Sequence, residues 1–431
     1  MREPYTQKFE KIQGQTLFQS LDGSEQERVR TIAFDNQFTL RELARFVESS
    51  IDLNLWNEKS LYTSWIQWRK ESSLAGREFK KWAFDRQEKL LKKLAEEETR
   101  YASGNDGRAP YRLKKVKIHT ALQKGSVFGM CPVQSDKTLC CNLRTIDAVK
   151  NCGFGCSYCS IQTMHAGDNI QFDESFGARL DAIDLDPEKG YHIGTGQSSD
   201  ALMWGNKNGI LDDMFRFARK WPNVLLEFKT KSRNIDHFLR SDVPANVICS
   251  WSLNPDIIVK NEEHLTASLG QRLNAARRLS NKGTRVAFHL HPMVHYAGWQ
   301  AGYSSLIERV TENFDYDEVA FVSFGALTFP KPIVRKIRSS GIKTKIHQMS
   351  MSPNPEGKMT YPDHLKEALF DHAYRAFSIW HGKVFFYLCM EESKFWETTF
   401  GEQFPDNEAF EQALLKSARA KLAGQPARLA S

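Results

Sequence analysis

The chain has 431 residues, of which 41% are hydrophobic, 26% charged and 12% aromatic. This balance is typical of folded globular proteins and excludes a largely disordered chain, and the length suggests two to four domains or one large barrel with appendages. Mean hydropathy is −0.50, and no apolar run approaches the roughly 18 residues that a membrane helix needs. Charged residues stand near the N-terminus where a signal peptide would be apolar, so we expect a cytoplasmic protein without a membrane segment.

The formal net charge is +7, and residues 60–119 account for it with 15 Lys or Arg against 8 Asp or Glu. A basic segment of this kind favours contact with DNA or another nucleic acid. The alternative is an ordinary solvated helix, because apolar residues recur at helical spacing between Trp65 and Arg100. Acidic residues also alternate with basic ones there, as in Glu88 and Lys92, and the plain helix is favoured over the nucleic-acid surface.

In chain order, residues 1–120 have a helical and polar pattern, and short apolar runs then alternate with amphipathic stretches. Six runs are predicted as strands: Thr145–Val149, Tyr191–Thr195, Val224–Thr230, Val247–Leu253, Arg285–Leu290 and Val319–Phe324. Four helices follow them: Gly209–Lys220, Ile235–Arg240, Leu269–Asn281 and Tyr303–Asn313. The last hundred residues add the candidate strands Lys343–His347 and Val384–Cys389, a helix near His364–Ser378 and another from about Asn407.

The alternation predicts an α/β protein with a parallel sheet, either open or curled into a partial barrel. In both architectures ligands bind at the carboxyl ends of the strands. We predict three regions: a helical, basic N-terminal extension at 1–120, the sheet or barrel at 121–335, and a C-terminal α/β region at 336–431.

Three of the eight cysteines, Cys152, Cys156 and Cys159, lie in one loop directly after the first predicted strand. Gly153 and Gly155 between them let the backbone wrap closely around a ligand. Thiolates at this spacing favour a soft metal or an iron–sulfur cluster. Three ligands leave one iron of a four-iron cluster open, whereas a structural zinc site takes four. A zinc knuckle and unligated reduced cysteines are the alternatives.

The cysteine motif resembles that of the radical S-adenosylmethionine (SAM) superfamily, and the segments after it are similar to the spore photoproduct lyase family over roughly 140–335. The matching segments are Gln197–Asp200, Phe228–Lys231, Trp251–Asn254, His264–Ser268, Phe288–Pro292 and Gly298–Tyr303. The resemblance implies a partial (β/α)6-type barrel, a [4Fe–4S] cluster on the three cysteines, and SAM on the open iron. It further implies a 5′-deoxyadenosyl radical that takes hydrogen from a substrate, with a pyrimidine lesion in DNA as that substrate. A reducing partner such as flavodoxin or ferredoxin would supply the electron.

The resemblance also implies which residues hold SAM, with the ammonium of the lysine facing the SAM carboxylate. These residues are Tyr158, Gly194, Gly196, Ser199, Lys231, Ser252 and His291. The strip, Ser252 and the lysine each have a plain structural alternative. These are a turn for the glycine-rich strip, a strand-end cap for Ser252, and a counter-ion to Glu227 or to a phosphate for one of the lysines Lys229 and Lys231. His289, His291 and His295 also suggest a metal, but two on one strand face lack a third ligand, so contact with SAM or substrate, or ordinary packing, is favoured.

Two residues depart from the family pattern. Gln197 stands where the family has a cysteine that donates a hydrogen atom to the product radical, and Ser160 stands where it has a tyrosine of the same relay. Glutamine has no weak S–H bond, so another thiol must donate the hydrogen atom. Our candidate catalytic residues are the thiols of Cys389 and Cys141 as donors, together with Tyr158. A second cluster on the cysteines between 131 and 141 is a further alternative.

Two other functional classes stay open at this stage. One is a radical SAM enzyme that acts on an RNA, a peptide or a small molecule. The other is an iron–sulfur protein that binds nucleic acid without catalysis, although such a protein would need neither Lys231 nor the glycine-rich strip.

Overall fold

The structure, a computed structural model, describes residues 4–102, 117–132, 135, 137–160 and 169–424. Its α-helices are α1 (Tyr5–Gln13), α2 (Gly23–Asn36), α3 (Leu40–Leu55), α4 (Leu61–Glu71), α5 (Gly76–Glu96), α6 (Phe176–Asp181), α7 (Ile210–Lys220), α8 (Asp236–Arg240), α9 (Asp256–Glu262), α10 (Leu269–Asn281), α11 (Trp299–Asn313), α12 (Pro332–Ser340), α13 (Asp363–Ala376), α14 (Ser393–Phe400) and α15 (Asn407–Leu422). Its strands are β1 (Ile118–Ala121), β2 (Phe128–Met130), β3 (Arg144–Ile146), β4 (Val149–Lys150), β5 (Gly155–Cys156), β6 (Ile170–Asp173), β7 (Tyr191–Thr195), β8 (Val224–Thr230), β9 (Val247–Ser252), β10 (Glu263–His264), β11 (Val286–Met293), β12 (Val319–Ala326), β13 (Thr328–Phe329), β14 (Ser352–Pro353), β15 (Met359–Thr360) and β16 (Phe385–Leu388).

One compact unit consists of the described residues of Met1–Pro110 together with Lys331–Met351. It contains α1–α5 and α12, and Trp65 lies at the centre of its aromatic core. The Trp65 ring packs edge to face on Phe46 and Phe84 at 5.2 Å between centroids. The helical periodicity between Trp65 and Arg100 is confirmed, with Trp65 and Phe79 buried and Leu90 and Leu94 half-buried. It belongs to two helices, α4 and α5, because the chain leaves the helix after Glu71.

Arg338 on α12 explains why the segment Lys331–Met351 belongs to this helical unit. Its guanidinium binds both carboxylate oxygens of Asp52, at 2.8 and 2.7 Å, and Glu48 at 2.6 Å. The candidate strand Lys343–His347 is wrong: the segment is irregular, and the Thr344 amide donates to the Leu55 carbonyl at 3.2 Å. The division thus differs from the three predicted regions, since part of 336–431 joins the first helices.

The second unit, formed by the described residues of Tyr111–Pro330 and Ser352–Ser431, is built on an open, curled eight-stranded sheet. Its strand order is β16-β12-β11-β9-β8-β7-β3-β2. In this sheet the strands from β3 to β16 run parallel to one another. Among the described strands of the sheet, only the edge strand β2 is antiparallel to its neighbour. The parallel half-barrel confirms the predicted fold class, and it places the carboxyl ends of seven neighbouring strands at one rim.

Most predicted strands occur at their expected places, and β7 and β8 match their predicted limits. The first predicted strand, Thr145–Val149, is instead two: β3 stays in the large sheet, and β4 pairs with β6 in a small separate one. The chain therefore leaves the barrel wall just before the cysteine loop.

Alternate residues of the parallel strands face the barrel interior. On β8, Phe228 faces outward and packs on Phe215 of α7 and Phe238 of α8, with centroids 6.0 and 5.2 Å away. Glu227 and Lys229 therefore face inward, since successive strand residues point to opposite faces. In the described residues, no helix combines the length and the apolar character needed to cross a membrane.

Candidate functional site

The cysteine loop is attached to the barrel by a short antiparallel ladder. Cys156 on β5 pairs with Glu263 on β10, and the Ser157 amide donates to the Glu262 carbonyl at 2.9 Å. The Ser157 hydroxyl also donates to the Glu262 carboxylate. The loop that carries Cys152, Cys156 and Cys159 is therefore held by backbone and side-chain bonds to the segment after α9.

The three thiols lie close together, so that a negative charge on Cys159 would raise the pKa of both Cys152 and Cys156. Burial raises the pKa of Cys152 to about 12 and that of Cys156 well above its ordinary value. Both are protonated at neutral pH, and a bound cation must displace these protons. The described residues contain no group of three such ligands set for a single metal ion. In a four-iron cluster each cysteine binds a separate iron, so its ligands stand further apart.

Gly153 seats the loop against the next loop of the barrel. A Cβ atom at this position would lie 2.5 Å from Cε of Met203. The Gly153 amide contacts the Met203 sulfur at 3.3 Å, and the same sulfur lies 3.9 Å from Sγ of Cys152. Soft sulfur donors in a tight, glycine-lined loop fit an iron–sulfur cluster.

Tyr158 is clamped by a buried ionic network that sequence reasoning missed. Its hydroxyl donates to the Glu263 carboxylate, which also accepts from Asn254 at 2.9 Å and pairs with Arg272 of α10. The side chains of Arg272 and Glu263 are fully buried. Burial raises the pKa of Glu263, but the charges of Arg272 and Lys231 outweigh this effect and bring that pKa to about 2. The adjacent Glu262 and Glu263, followed by Arg272 on α10, were the available signal.

The glycine-rich strip after β7 forms a tight turn at Gly196. This residue has φ +81°, and a Cβ atom there would lie 2.6 Å from the Ser199 carbonyl oxygen, so only glycine fits. Ser199 is buried, and its hydroxyl accepts from the Trp204 indole at 3.3 Å. Gly194, two residues earlier, faces Leu143. A Cβ atom on Gly194 would lie 3.1 Å from Cδ2 of Leu143.

Asp200 ties this strip to the end of β8. Its carboxylate accepts from the Thr230 hydroxyl and the Lys231 amide, each at 2.7 Å, and from the Met203 amide at 3.0 Å. The Lys231 ammonium lies 5.8 Å from the centroid of the Tyr158 ring, and its charge lowers the pKa of Cys156 against the effect of burial. The structure thus brings the strip, Lys231 and the cysteine loop together.

A small cavity of about 30 Å³ lies beside the strip, lined by Gly196, Ser199, Asp200 and apolar side chains of α7. This volume suits one or two water molecules.

A second group of predicted residues lines the interior at the rim. Ser252 pairs with His289 across β9 and β11, so both face inward, and His291 follows on the same face. Tyr387 pairs with Ser323 on the inner face, and Cys389 follows two residues later. A Cβ atom on Gly325 would meet the His291 ring at 2.7 Å. His291, Ser252 and Cys389 therefore share the mouth of the barrel.

Below the mouth, Glu227 is the centre of a buried polar network. Its oxygens bind His192 at 2.7 Å and His289 at 2.6 Å, and Ser250 donates to it. Nδ1 of His289 lies 2.5 Å from the Ser323 hydroxyl. Burial lowers the pKa of His289 to about 4, whereas the histidines hold that of Glu227 well below its ordinary value despite burial. His289 is thus occupied by hydrogen bonding.

His295 follows β11, and its ring packs against Trp299 and Tyr361 with centroids 5.6 and 6.3 Å away. In the described residues the three histidines do not form a metal-binding group, and these ring contacts agree with the packing interpretation of His295.

Four further cysteines gather where the two edges of the curled sheet meet. Leu139 and Glu391 form an isolated antiparallel bridge, which brings Cys140 and Cys141 next to Cys389. Cys131 also lies within electrostatic range of Cys389. Cys141 is buried beside Tyr387, whereas Cys389 is half-buried and faces the mouth. Burial raises the pKa of Cys389 to about 12, so it carries its S–H bond at neutral pH.

A family model described as spore photoproduct lyase matches residues 103–352 of this chain. The spore photoproduct lyase of Geobacillus sp. (strain Y412MC61) is 24% identical over 208 residues, which are 47% of this chain and 61% of that protein. That of Bacillus subtilis (strain 168) is 30% identical over 123 residues, 28% of this chain and 36% of that protein. The chain thus spans less than two thirds of the length of these curated relatives.

Among solved structures, a spore photoproduct lyase mutant with bound AdoMet and dinucleoside spore photoproduct has a TM-score of 0.54 at 19% identity. The match covers 63% of this chain and 82% of that chain. A likeness at this identity establishes the fold, which confirms the predicted partial barrel.

Proposed function

Because this chain belongs to the spore photoproduct lyase family, we propose that it is a radical SAM enzyme that acts on a pyrimidine lesion in DNA. The observation that carries the proposal is the cysteine loop, whose three mutually interacting thiols lie against Tyr158 and the Lys231 ammonium. The cofactors of this family are a [4Fe–4S] cluster and SAM, and the soft, closely spaced donors of the loop suit such a cluster.

In this proposal Cys152, Cys156 and Cys159 hold the cluster. Lys231 pairs with the SAM carboxylate as a point charge. Tyr158 contacts the SAM nucleoside, with its hydroxyl fixed by Glu263. The remaining contacts come from the rim of the barrel, at Gly194, Gly196, Ser199, Ser252 and His291.

Bound together, the cluster and SAM supply a 5′-deoxyadenosyl radical that removes a hydrogen atom from the substrate. Cys389 then gives a hydrogen atom to the substrate carbon radical: the S–H bond breaks, a C–H bond forms and a thiyl radical remains. One electron and one proton from the reducing partner restore the thiol. Cys389 is favoured over Cys141 because it is half-buried and faces the mouth, whereas Cys141 is buried behind it.

The proposal includes contact between DNA and the basic segment 60–119. Most of the excess positive charge of this segment lies toward its C-terminal end. On α5, acids on the same or neighbouring helices pair with the bases, as in Arg86–Glu71 at 2.7 Å and Lys93–Glu97 at 3.7 Å. Residues 103–117 hold five Lys or Arg and one Asp, and apart from Lys117 they lie outside the described residues. A lesion base must leave the helix stack to reach a radical inside a barrel.

The reducing partner is proposed to be a flavodoxin or ferredoxin, since the cluster needs one electron at low potential. None of the eight cysteines forms a disulfide. Reduced cysteines and an iron–sulfur cluster both suit a reducing compartment, so the proposed location is the cytoplasm.

The two alternative classes are not favoured. Family membership speaks against a radical SAM enzyme acting on an RNA, a peptide or a small molecule. A protein that only binds nucleic acid needs neither an ammonium group beside the cysteine loop nor a glycine-rich strip.

The test is anaerobic reconstitution with iron and sulfide, followed by SAM and dithionite, with and without ultraviolet-irradiated DNA. We expect about four iron atoms per chain, 5′-deoxyadenosine formation, and loss of the lesion. SAM cleavage without lesion loss would reject the DNA substrate and leave the radical chemistry in place. No SAM cleavage by a loaded cluster would reject the radical SAM activity itself.

A further inference from the structure

Two lysines at the end of β8 face the barrel interior, and they serve different regions of it. Lys231 lies beside the cysteine loop. Lys229, two residues earlier, acts on other groups: its charge lowers the pKa of His289 and His291 and that of Cys389. Three strands separate β8 from β16 in the sheet. A charge that reaches Cys389 from β8 must therefore project across the open interior.

The nearest carboxylates in the interior already have partners. Glu227 is bound by two histidines and Ser250. Glu391 pairs with Lys366 at 3.1 Å and accepts from the Ala326 amide at 3.2 Å. Within the part of the chain that the structure describes, neither carboxylate forms an ion pair with Lys229. A half-buried ammonium without a counter-ion is unfavourable.

The other described side chains of the mouth do not supply a negative charge. Burial keeps the pKa of His291 well below its ordinary value, so its imidazole is neutral, and Cys389 is a protonated thiol. Ser252 offers only a neutral hydroxyl. Lys229 is thus a half-buried cation that forms no ion pair with a described side chain of the mouth, in the space where a substrate must approach Cys389.

We propose that Lys229 is an anion-binding residue of the barrel interior that takes a phosphate group of a nucleotide substrate. The inference rests on the proposed function, because it places this phosphate beside the hydrogen donor Cys389. A lysine ammonium binds phosphate as a point charge, and a dinucleotide lesion in DNA carries a phosphodiester between its two nucleosides. Lys231 is assigned to the SAM carboxylate, so each lysine has its own anion.

The closing experiment compares two probes that differ by one phosphate. These are the spore photoproduct as a dinucleotide with its phosphodiester and as a dinucleoside without it, bound anaerobically to the loaded, SAM-bound protein. We expect the wild-type protein to prefer the dinucleotide about tenfold, the usual size of one charge-assisted hydrogen bond. K229M removes this preference, and K229R retains most of it.

K231M is the matched control, because it removes the neighbouring charge on the same face of β8. We expect it to weaken SAM binding and to keep the preference for the phosphate. Equal preference in K229M and wild type would overturn the proposal. Weaker SAM binding in K229M, with the preference intact, would also overturn it, because Lys229 would then hold the SAM carboxylate.

A second measurement separates failure of this proposal from failure of the proposed function. Inorganic pyrophosphate is expected to raise the unfolding temperature of wild type and K229R but not of K229M, with no nucleic acid present. If wild type binds neither lesion probe yet shows this difference, the anion site stands and the lesion substrate fails. If pyrophosphate acts equally on wild type and K229M, the anion site fails.

Discussion

Gly196 places a strong constraint on the backbone conformation of the glycine-rich strip beside the cysteine loop. It combines a positive φ of +81° with a close approach to the Ser199 carbonyl. We expect G196A to lower the free energy of unfolding by about 1–3 kcal/mol, from strain and displacement of the strip, and to weaken SAM binding. Urea unfolding and equilibrium binding of SAM measure both effects.

Gly209 supplies the control for this substitution. Its φ of +75° is similar, but a Cβ atom there would meet nothing within 4 Å. G209A therefore tests the backbone strain alone, with SAM binding unchanged. If the two variants behaved alike, the close contact at Gly196 would have no role.

Cys389 tests the proposed hydrogen donor at the scale of one atom. A thiol proton exchanges with solvent, so in D2O the repaired product should carry one deuterium atom from Cys389. We expect C389A to cleave SAM but to lose both the repaired product and this label, because no S–H bond faces the carbon radical. Mass spectrometry of the product measures the label.

Two other thiol variants complete that experiment. Cys249 is buried on β9 and has no place in the proposed relay, so C249A should keep the label. C141A decides between the two donors. Loss of the label in C141A, with C389A unaffected, would transfer the role to Cys141.

At the scale of elements, the β5–β10 ladder and α10 act as one clamp on the cysteine loop. E263Q keeps an acceptor for the Tyr158 hydroxyl but removes the charge that Arg272 needs. We expect a loss of about 3–5 kcal/mol in the free energy of unfolding, as for a broken buried ion pair, and less iron per chain after reconstitution. Y158F removes one hydrogen bond and should cost only about 1–3 kcal/mol.

The matched control lies on the same helix. Arg277 pairs with Glu318 in a partly exposed bridge, with side-chain exposures of 27% and 20%. E318Q should therefore cost less than E263Q, about 1–2 kcal/mol, and leave the iron content unchanged. An equal loss of iron in E263Q and E318Q would show general destabilisation rather than a clamp on the loop.

At the scale of the whole molecule, the distribution of charge decides where nucleic acid binds. The double variant K114A/K115A changes the segment rich in unbalanced bases, which lies outside the described residues. We expect the slope of log K for duplex DNA against log salt to fall by about 2, roughly 0.9 per lost phosphate contact. Fluorescence anisotropy between low and physiological salt measures the slope.

K92A/K93A on α5 is the control, since Lys92 and Lys93 each have an acidic partner at 3.7 Å. Little change in the slope is expected, because these two ammonium groups are already paired with carboxylates and therefore do not contact phosphate. A larger effect on α5 than at 114–115 would move the nucleic-acid surface to the helical unit.

The sequence by itself determined the cysteine loop, the strand–helix alternation and the strand ends where ligands bind. These are local features: a ligand spacing is contained in eight residues, and β7 and β8 follow directly from their apolar runs. The same local signals misjudged Lys343–His347 and the first strand, because packing against Leu55 and pairing with β6 decide those segments.

Only the tertiary structure decided which distant residues meet. The contact between Glu263 and Tyr158, the approach of Cys131, Cys140 and Cys141 to Cys389, and the direction of Lys229 all depend on how the sheet curls. No periodicity encodes such encounters, because strands far apart in the chain are brought together by register and curvature. For the same reason, the sequence separated Lys231 from Lys229 only through the family resemblance, because the two lysines share one strand face and differ in what lies opposite them.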